Sequence, residues 1–343
     1  MSAGPIVRLE GIGKRFPLRR SWTKTVFDPR HGEYQVALQD IDLEVGAGEL
    51  FGLLGQNGAG KTTLFKILAT LVLPDSGSAR VAGFDVEREG ARVRTVLTPV
   101  IPNERSLYWR ISAFENLRLY ASLHGIWGPE AFRRVTELLE LVGLADVGEK
   151  QVGLFSSGMK QRLLIARALV SRPKVLLLDE PTRSLDPVTS RDLRRFLREE
   201  LVGRQGCTVL LATHDQAEVS ELCDRVGILE RGRLLAVGAT ADLVRRLEIH
   251  RYRMWTRDPD HAAFASLDLS GSGRSVERHR ADADGWTRID LEIPEGADEA
   301  ARLLARLASE GVSVSRFERV ELPLAELIER VSGDAPRDRG GRP

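Results

Sequence analysis

Sulfur is scarce in this sequence. Two cysteines, Cys207 and Cys223, and three methionines occur among 343 residues. Two thiols in no metal-binding or redox spacing exclude a disulfide-stapled scaffold and a cysteine metal site. They read as small apolar fillers in a reducing compartment. Long apolar runs are also missing. Nothing approaches the ~20 residues needed to cross a bilayer, and the longest runs, at 175–178 and 209–212, have the length of buried strands. Residues 1–10 lack the apolar core of a secretory leader, so a cytoplasmic location is expected. An excess of one charge is absent as well: 50 Lys and Arg face 49 Asp and Glu. That balance removes any global attraction to nucleic acid, and no nucleic-acid partner is expected.

What is present is enough material for a real core. A hydrophobic fraction of 42% with 29% charged residues fits a soluble globular chain. At this length about two domains are expected, with about 75% of the unfolded surface buried. The chain opens with a short strand at 6–9. An irregular basic stretch, 14–30, follows; seven Lys or Arg fall between 8 and 30 against Glu10 and Asp28. It reads as a solvated loop or as a contact for anionic headgroups. Strands are expected at 38–45, 50–54, 175–178 and 208–212. Helices are expected at 62–71, 114–124, 130–141, 158–170 and 192–202. Strands alternating with helices predict a mainly parallel α/β sheet. The pattern changes near Leu243. Strands at 249–255 and 312–317, the alternation of Ile289, Leu291 and Ile293, and helices at 298–309 and 323–331 predict a small α+β domain. The tail, 334–343, reads as disordered.

The chemistry begins at Gly55-Gln56-Asn57-Gly58-Ala59-Gly60-Lys61-Thr62, which fits the phosphate-loop pattern G-x-x-x-x-G-K-[ST]. Glycines let backbone N–H groups approach phosphate oxygens. The helix that follows adds its positive end, on which Thr63 also lies. Lys61 supplies a fixed cation for the terminal phosphates, and the Thr62 hydroxyl can ligate Mg²⁺. The loop follows an apolar strand and opens a helix, which a chance Gly-rich turn would not be expected to do. Further on, Val175-Leu176-Leu177-Leu178 ends in Asp179-Glu180. A buried strand of this kind presents Asp179 for Mg²⁺, through water, and Glu180 as general base for an attacking water.

Between them lies Phe155-Ser156-Ser157-Gly158-Met159-Lys160-Gln161-Arg162. The serines suit a helix cap, and a helix start of this kind also suits phosphate. The order of these three elements resembles the ATP-binding cassette (ABC) ATPases. Against the commonest signature, Phe155 replaces Leu, Ser157 replaces Gly and Met159 replaces Gln, whereas Ser156 and Gly158 are retained. The resemblance covers about 6–240 and implies a P-loop NTPase cassette: a mainly parallel core, an antiparallel N-terminal β-subdomain and a helical subdomain over about 100–172. It places the cassette at 1–242, the accessory α+β domain at 243–332 and the tail at 333–343.

The resemblance also assigns roles. Ser184 and Asp186, in Ser184-Leu185-Asp186, look like the D-loop. His214, 34 residues after Glu180, looks like the switch histidine that contacts the γ-phosphate. An adenine-stacking aromatic is expected at Tyr34 or Phe16, Tyr34 being preferred. The usual Gln that touches Mg²⁺ falls on Asn103, one methylene shorter. ATP and Mg²⁺ are the implied ligands. One copy of each motif implies a head-to-tail homodimer with two ATP molecules sandwiched between phosphate loop and signature. The resemblance further implies a separate transmembrane permease of ABC-2 type, docked around 103–120 through exposed Leu107, Tyr108 and Trp109. The chain would then sit peripherally on the inner membrane face and power export of a drug, lipid or glycoconjugate. An importer ATPase, or an ABC ATPase acting on nucleic acid or ribosomes, is the alternative.

Overall fold

The computed structural model describes residues 4–17, 34–100, 107–247, 250–261, 276–279, 285–293 and 296–320. Asn103, most of the basic stretch, the helix expected at 323–331 and the tail lie outside the described residues. The chain divides into two units, Met1–Thr240 and Ala241–Pro343. The boundary falls two residues before the one read from the sequence.

The first unit opens with β1 (Val7–Pro17) and β2 (Tyr34–Val45), paired antiparallel. Both run further than the sequence reading. Residues 14–17, expected to be irregular, are strand, because they pair antiparallel with residues 34–38 of β2, and the Lys14 ammonium and the Arg15 amide are both tied to the Asp75 carboxylate, at 2.7 and 2.6 Å. Next come β3 (Leu50–Leu54), α1 (Lys61–Leu68), β4 (Ser76–Val81), β5 (Phe84–Asp85), α2 (Gly90–Val96) and β6 (Leu97–Val100). Strands β2, β1, β4 and β5 form one antiparallel sheet in that order.

Three helices follow: α3 (Ala113–Leu123), α4 (Gly128–Leu141) and α5 (Ser157–Leu169). Each has a local cause. A capping box starts α3: Glu115 N–H donates to Ser112 Oγ, and Ser112 N–H donates to the Glu115 carboxylate. Pro129 begins α4 where no donor is lost. Ser156 caps α5 by accepting from Met159 N–H at 3.2 Å.

The chain returns to the core as β7 (Val175–Asp179), α6 (Pro187–Phe196), β8 (Thr208–Thr213), α7 (Gln216–Leu222), β9 (Arg225–Glu230) and β10 (Arg233–Ala239). A π-helical stretch, Leu197–Arg204, prolongs α6. The six-stranded sheet has the order β10-β9-β3-β8-β7-β6. It is parallel from β9 to β6, and β10 closes it antiparallel. Strands β3, β7 and β8 are buried along their whole length, as near-continuous apolar runs in a parallel sheet must be. The two thiols belong to this core. Burial pushes Cys207 up to about 11 and pushes Cys223 up as well.

The second unit contains most of α8 (Thr240–Leu247), then β11 (His250–Thr256), β12 (Val276–Arg278), β13 (Thr287–Ile293), α9 (Gly296–Ser309) and β14 (Val314–Val320). The sheet order is β12-β13-β11-β14. One sheet face packs on α9 through Met254, Ile289, Leu291, Leu303 and Leu307. The opposite face bears Asp290, 3.2 Å from the Arg253 guanidinium and 3.4 Å from that of Arg288.

Two contacts yield measurable consequences. Leu177 is fully buried in β7, so Leu177→Ala costs about 2–5 kcal/mol in urea unfolding. At the start of α5, a Cβ on Gly158 would overlap the Thr189 methyl of α6. Gly158→Ala therefore costs about 1–3 kcal/mol through overpacking. Adding Thr189→Ser, which removes that methyl, restores most of the lost melting temperature. A Gly158→Ala protein that melts with the wild type would show the contact to be slack.

Candidate functional site

The site lies where β3, β7 and β8 end. Beyond Leu54 the chain curls through 55–60 into α1. Gly60 has φ +113°, and a Cβ there would lie 2.6 Å from the Ala37 carbonyl oxygen, so only glycine is accommodated. Gly55 N–H donates to Thr213 C=O at 3.2 Å, and Gly232 N–H donates to Ala59 C=O at 2.8 Å. These bonds fix the loop to the end of β8 and to the β9–β10 turn.

Inside the loop, Lys61 is 5% exposed. Its ammonium donates to the carbonyls of Gly55 and Gln56, at 2.5 and 3.1 Å, and lies 3.9 Å from Glu180 Oε1. Burial pushes the Lys61 pKa down, and the charges of Glu180 and Asp179 act in the opposite sense. Next to it, Thr62 Oγ1 donates to Asp179 Oδ2 at 2.7 Å. Asp179 is buried at the last position of β7, and that burial raises its pKa against the Thr62 hydrogen bond. Glu180, one residue on, adopts φ +50°, a conformation that costs a non-glycine residue about 1–3 kcal/mol. Its N–H donates to Ala212 C=O at 2.8 Å. Its two carboxylate oxygens lie 2.9 and 2.8 Å from His214 Nδ1. Thus an ammonium, a hydroxyl, two carboxylates and an imidazole, from three separate strand ends, meet at one place.

The ammonium, the hydroxyl and the two carboxylates border a cavity of about 460 Å³, whereas His214, expected to contact the γ-phosphate, does not line it and stands behind Glu180, 2.8 Å from its carboxylate. Gln56, Asn57, Gly58, Gly60, Lys61, Thr62 and Thr63 form one wall, and Asp179, Glu180 and Arg183 another. The mouth is made by Phe16, Gln35, Val36 and Ala37. Gly55 and Ala59 are structural members of the loop and do not line the cavity. Of the two aromatics, Phe16 lines it and Tyr34 does not, contrary to the preference read from the sequence. The strand register is the reason: Phe16 pairs with Gln35, whereas Tyr34 is one step further out, opposite Pro17, and 62% exposed. The wall residues Gln35 to Ala37 and Arg183 were not singled out from sequence. Arg183 had a signal, three places after Glu180 in the same turn.

Several expected residues are not in this cavity. Ser156 caps α5, Ser157 is exposed beside it, and Gly158 is buried against Thr189. Ser184, at φ +68°, is exposed. The Asp186 carboxylate, expected among the ATP contacts, caps α6: it accepts from the N–H groups of Val188 and Thr189 and from Thr189 Oγ1. Leu107, expected to be exposed, is buried, whereas Tyr108 and Trp109 are 55% and 62% exposed. The fully buried Asn116 side chain holds Tyr108 by hydrogen bonds to its N–H and C=O.

Comparison with known proteins agrees with this geometry. The profile of the family described as "ABC transporter" matches residues 38–183. The chain is 37% identical to the linearmycin resistance ATP-binding protein LnrL of Bacillus subtilis, over 88% of this chain and 95% of that one. It is 35% identical to the daunorubicin/doxorubicin resistance ATP-binding protein DrrA of Streptomyces peucetius, over 88% and 90%. Among solved structures, the ATP-binding cassette MJ0796 in a dimeric, post-hydrolysis state bound to ADP and Pi superposes with a TM-score of 0.59 at 25% identity. That match covers 68% of this chain and 98% of the other. The Lys61–Glu180–His214 cluster thus stands in a chain alignable over nearly the full length of a curated ATP-binding protein, and the chain belongs to the ABC transporter ATP-binding proteins, with hydrolysis of ATP as its reaction.

Proposed function

We propose that the chain is the energising subunit of a separate ABC-2-type permease, bound peripherally to the inner membrane face, and that it drives export of a drug, lipid or glycoconjugate. Among the described residues no helix is long and apolar enough to cross a membrane, and in this reading the translocation path belongs to another chain. Export is supported by the two resistance proteins, whose matches extend over 88% of this chain and so beyond the cassette into the second unit. Exposed Tyr108 and Trp109, with Leu154 78% exposed nearby, suit the apolar face of a permease helix.

The observation that carries the reaction is the Glu180–His214 contact beside buried Lys61. In this reading ATP lies along the loop 55–63, with Phe16 against the adenine. Lys61 neutralises the terminal phosphates, Glu180 takes the proton of the attacking water, and His214 holds that carboxylate and meets the γ-phosphate. The donor set also fits Mg²⁺. A hydroxyl and a carboxylate, 2.7 Å apart, form an all-oxygen pair, and the buried charge of Asp179 has only Thr62 as a hydrogen-bond donor among the described residues. When bound there, the ion would neutralise phosphate charge. Signature residues Ser156 to Gly158 and D-loop residues Ser184 and Asp186 lie outside the cavity of their own chain. A second copy, arranged head to tail, completes the site with them, and the nucleotide bridges the two.

Glu180→Gln tests this. It preserves shape and removes the base, so hydrolysis falls at least about 10²-fold. With ATP and Mg²⁺ the variant then accumulates as a dimer by light scattering and returns to monomer when the nucleotide is removed. Turnover near the wild-type rate removes Glu180 from the base role. A variant that binds ATP yet stays monomeric removes the sandwich.

A further inference from the structure

Glu218, in the first turn of α7, is fully buried. A carboxylate in such a place is unfavourable unless its partners compensate, and an apolar side chain would fill the space at less cost. Its partners are specific. Thr182 Oγ1 donates to Glu218 Oε1 at 2.8 Å. The Thr213 hydroxyl interacts with the same carboxyl. Oε2 makes no hydrogen bond among the described residues. Burial pushes the Glu218 pKa up, and the charges of Asp215 and Glu180 push the same way.

The two threonines stand at informative places. Thr182 is two residues after Glu180, in a turn that contains two left-handed non-glycine residues, Glu180 at φ +50° and Ser184 at φ +68°. Thr213 immediately precedes His214. One buried carboxyl therefore touches both segments whose exposed ends meet in the 2.8 Å Glu180–His214 contact. A strained backbone persists only where its surroundings over-determine it, and this bridge ties that turn to the neighbouring strand end.

We propose that Glu218 is a positioning residue for hydrolysis: it fastens the turn after β7 to the segment after β8 and thereby holds the Glu180 carboxylate in register with His214. The inference rests on Glu180 acting as the base. It concerns the chemical step and leaves the nucleotide-binding wall untouched.

The test uses the full chain, with steady-state ATPase kinetics and thermal melting. Thr182→Val removes the donor at constant shape and Glu218→Ala removes the acceptor. Each lowers kcat about tenfold, since small misplacements of reacting groups are costly, while KM for ATP stays within about threefold. Glu218→Gln keeps an amide oxygen facing Thr182 and recovers most of the rate. Thr182→Val melts within a few degrees of wild type, so its loss does not reflect unfolding. The proposal is overturned if Thr182→Val turns over at the wild-type rate, or if Glu218→Gln is as slow as Glu218→Ala. Glu180→Gln in the same assay separates the two readings. A dead Glu180→Gln beside a fully active Thr182→Val removes only the bridge, and an active Glu180→Gln removes the base on which it rests.

Discussion

The whole cassette depends on keeping one ammonium out of water beside two carboxylates. Lys61 is almost fully buried, two of its three N–H donors go to loop carbonyls, and Glu180 is 3.9 Å away. A buried charge is tolerable only where the surrounding dipoles and counter-charges are fixed in advance. Three buried strands provide that fixity. The loop springs from β3, the acids from β7 and the imidazole from β8, and these strands are neighbours in one sheet. Apolar burial, which is non-directional, thus sets the geometry of groups that work only in one direction.

The same logic explains why the loops between strand ends are strained. Glu180 takes a left-handed backbone and is stapled to Ala212 through its N–H. Gly60 accepts a conformation that no other residue fits. The rigid sheet holds these turns at an energetic disadvantage, which favours a poised arrangement over a relaxed one.

Much of this was readable in the residues themselves. The strand 50–54 emerges with its expected bounds, and β7 and β8 each gain one residue, because uninterrupted apolar runs allow few alternatives. The phosphate loop and the Asp179–Glu180 pair were legible because their chemistry demands particular types at particular spacing. The choice between Phe16 and Tyr34 was not. It depends on the β1–β2 register, which the intervening basic stretch hides from any reading along the chain. Hairpin β9–β10 escaped because Arg231-Gly232-Arg233 interrupts its apolar pattern. Glu218 escaped because a lone acid near a helix start looks like ordinary helix-dipole chemistry. Only the fold shows that its side chain points inward, to the threonines beside Glu180 and His214.

The two thiols have a practical corollary. Cys207 and Cys223 are both buried, with ionisation pushed to alkaline pH, and the thiolate is the reactive form. Neither competes for an alkylating reagent near neutrality while the cassette stays folded. A single cysteine engineered onto an exposed face would therefore take a fluorophore or spin label ahead of both, with the native sequence otherwise intact.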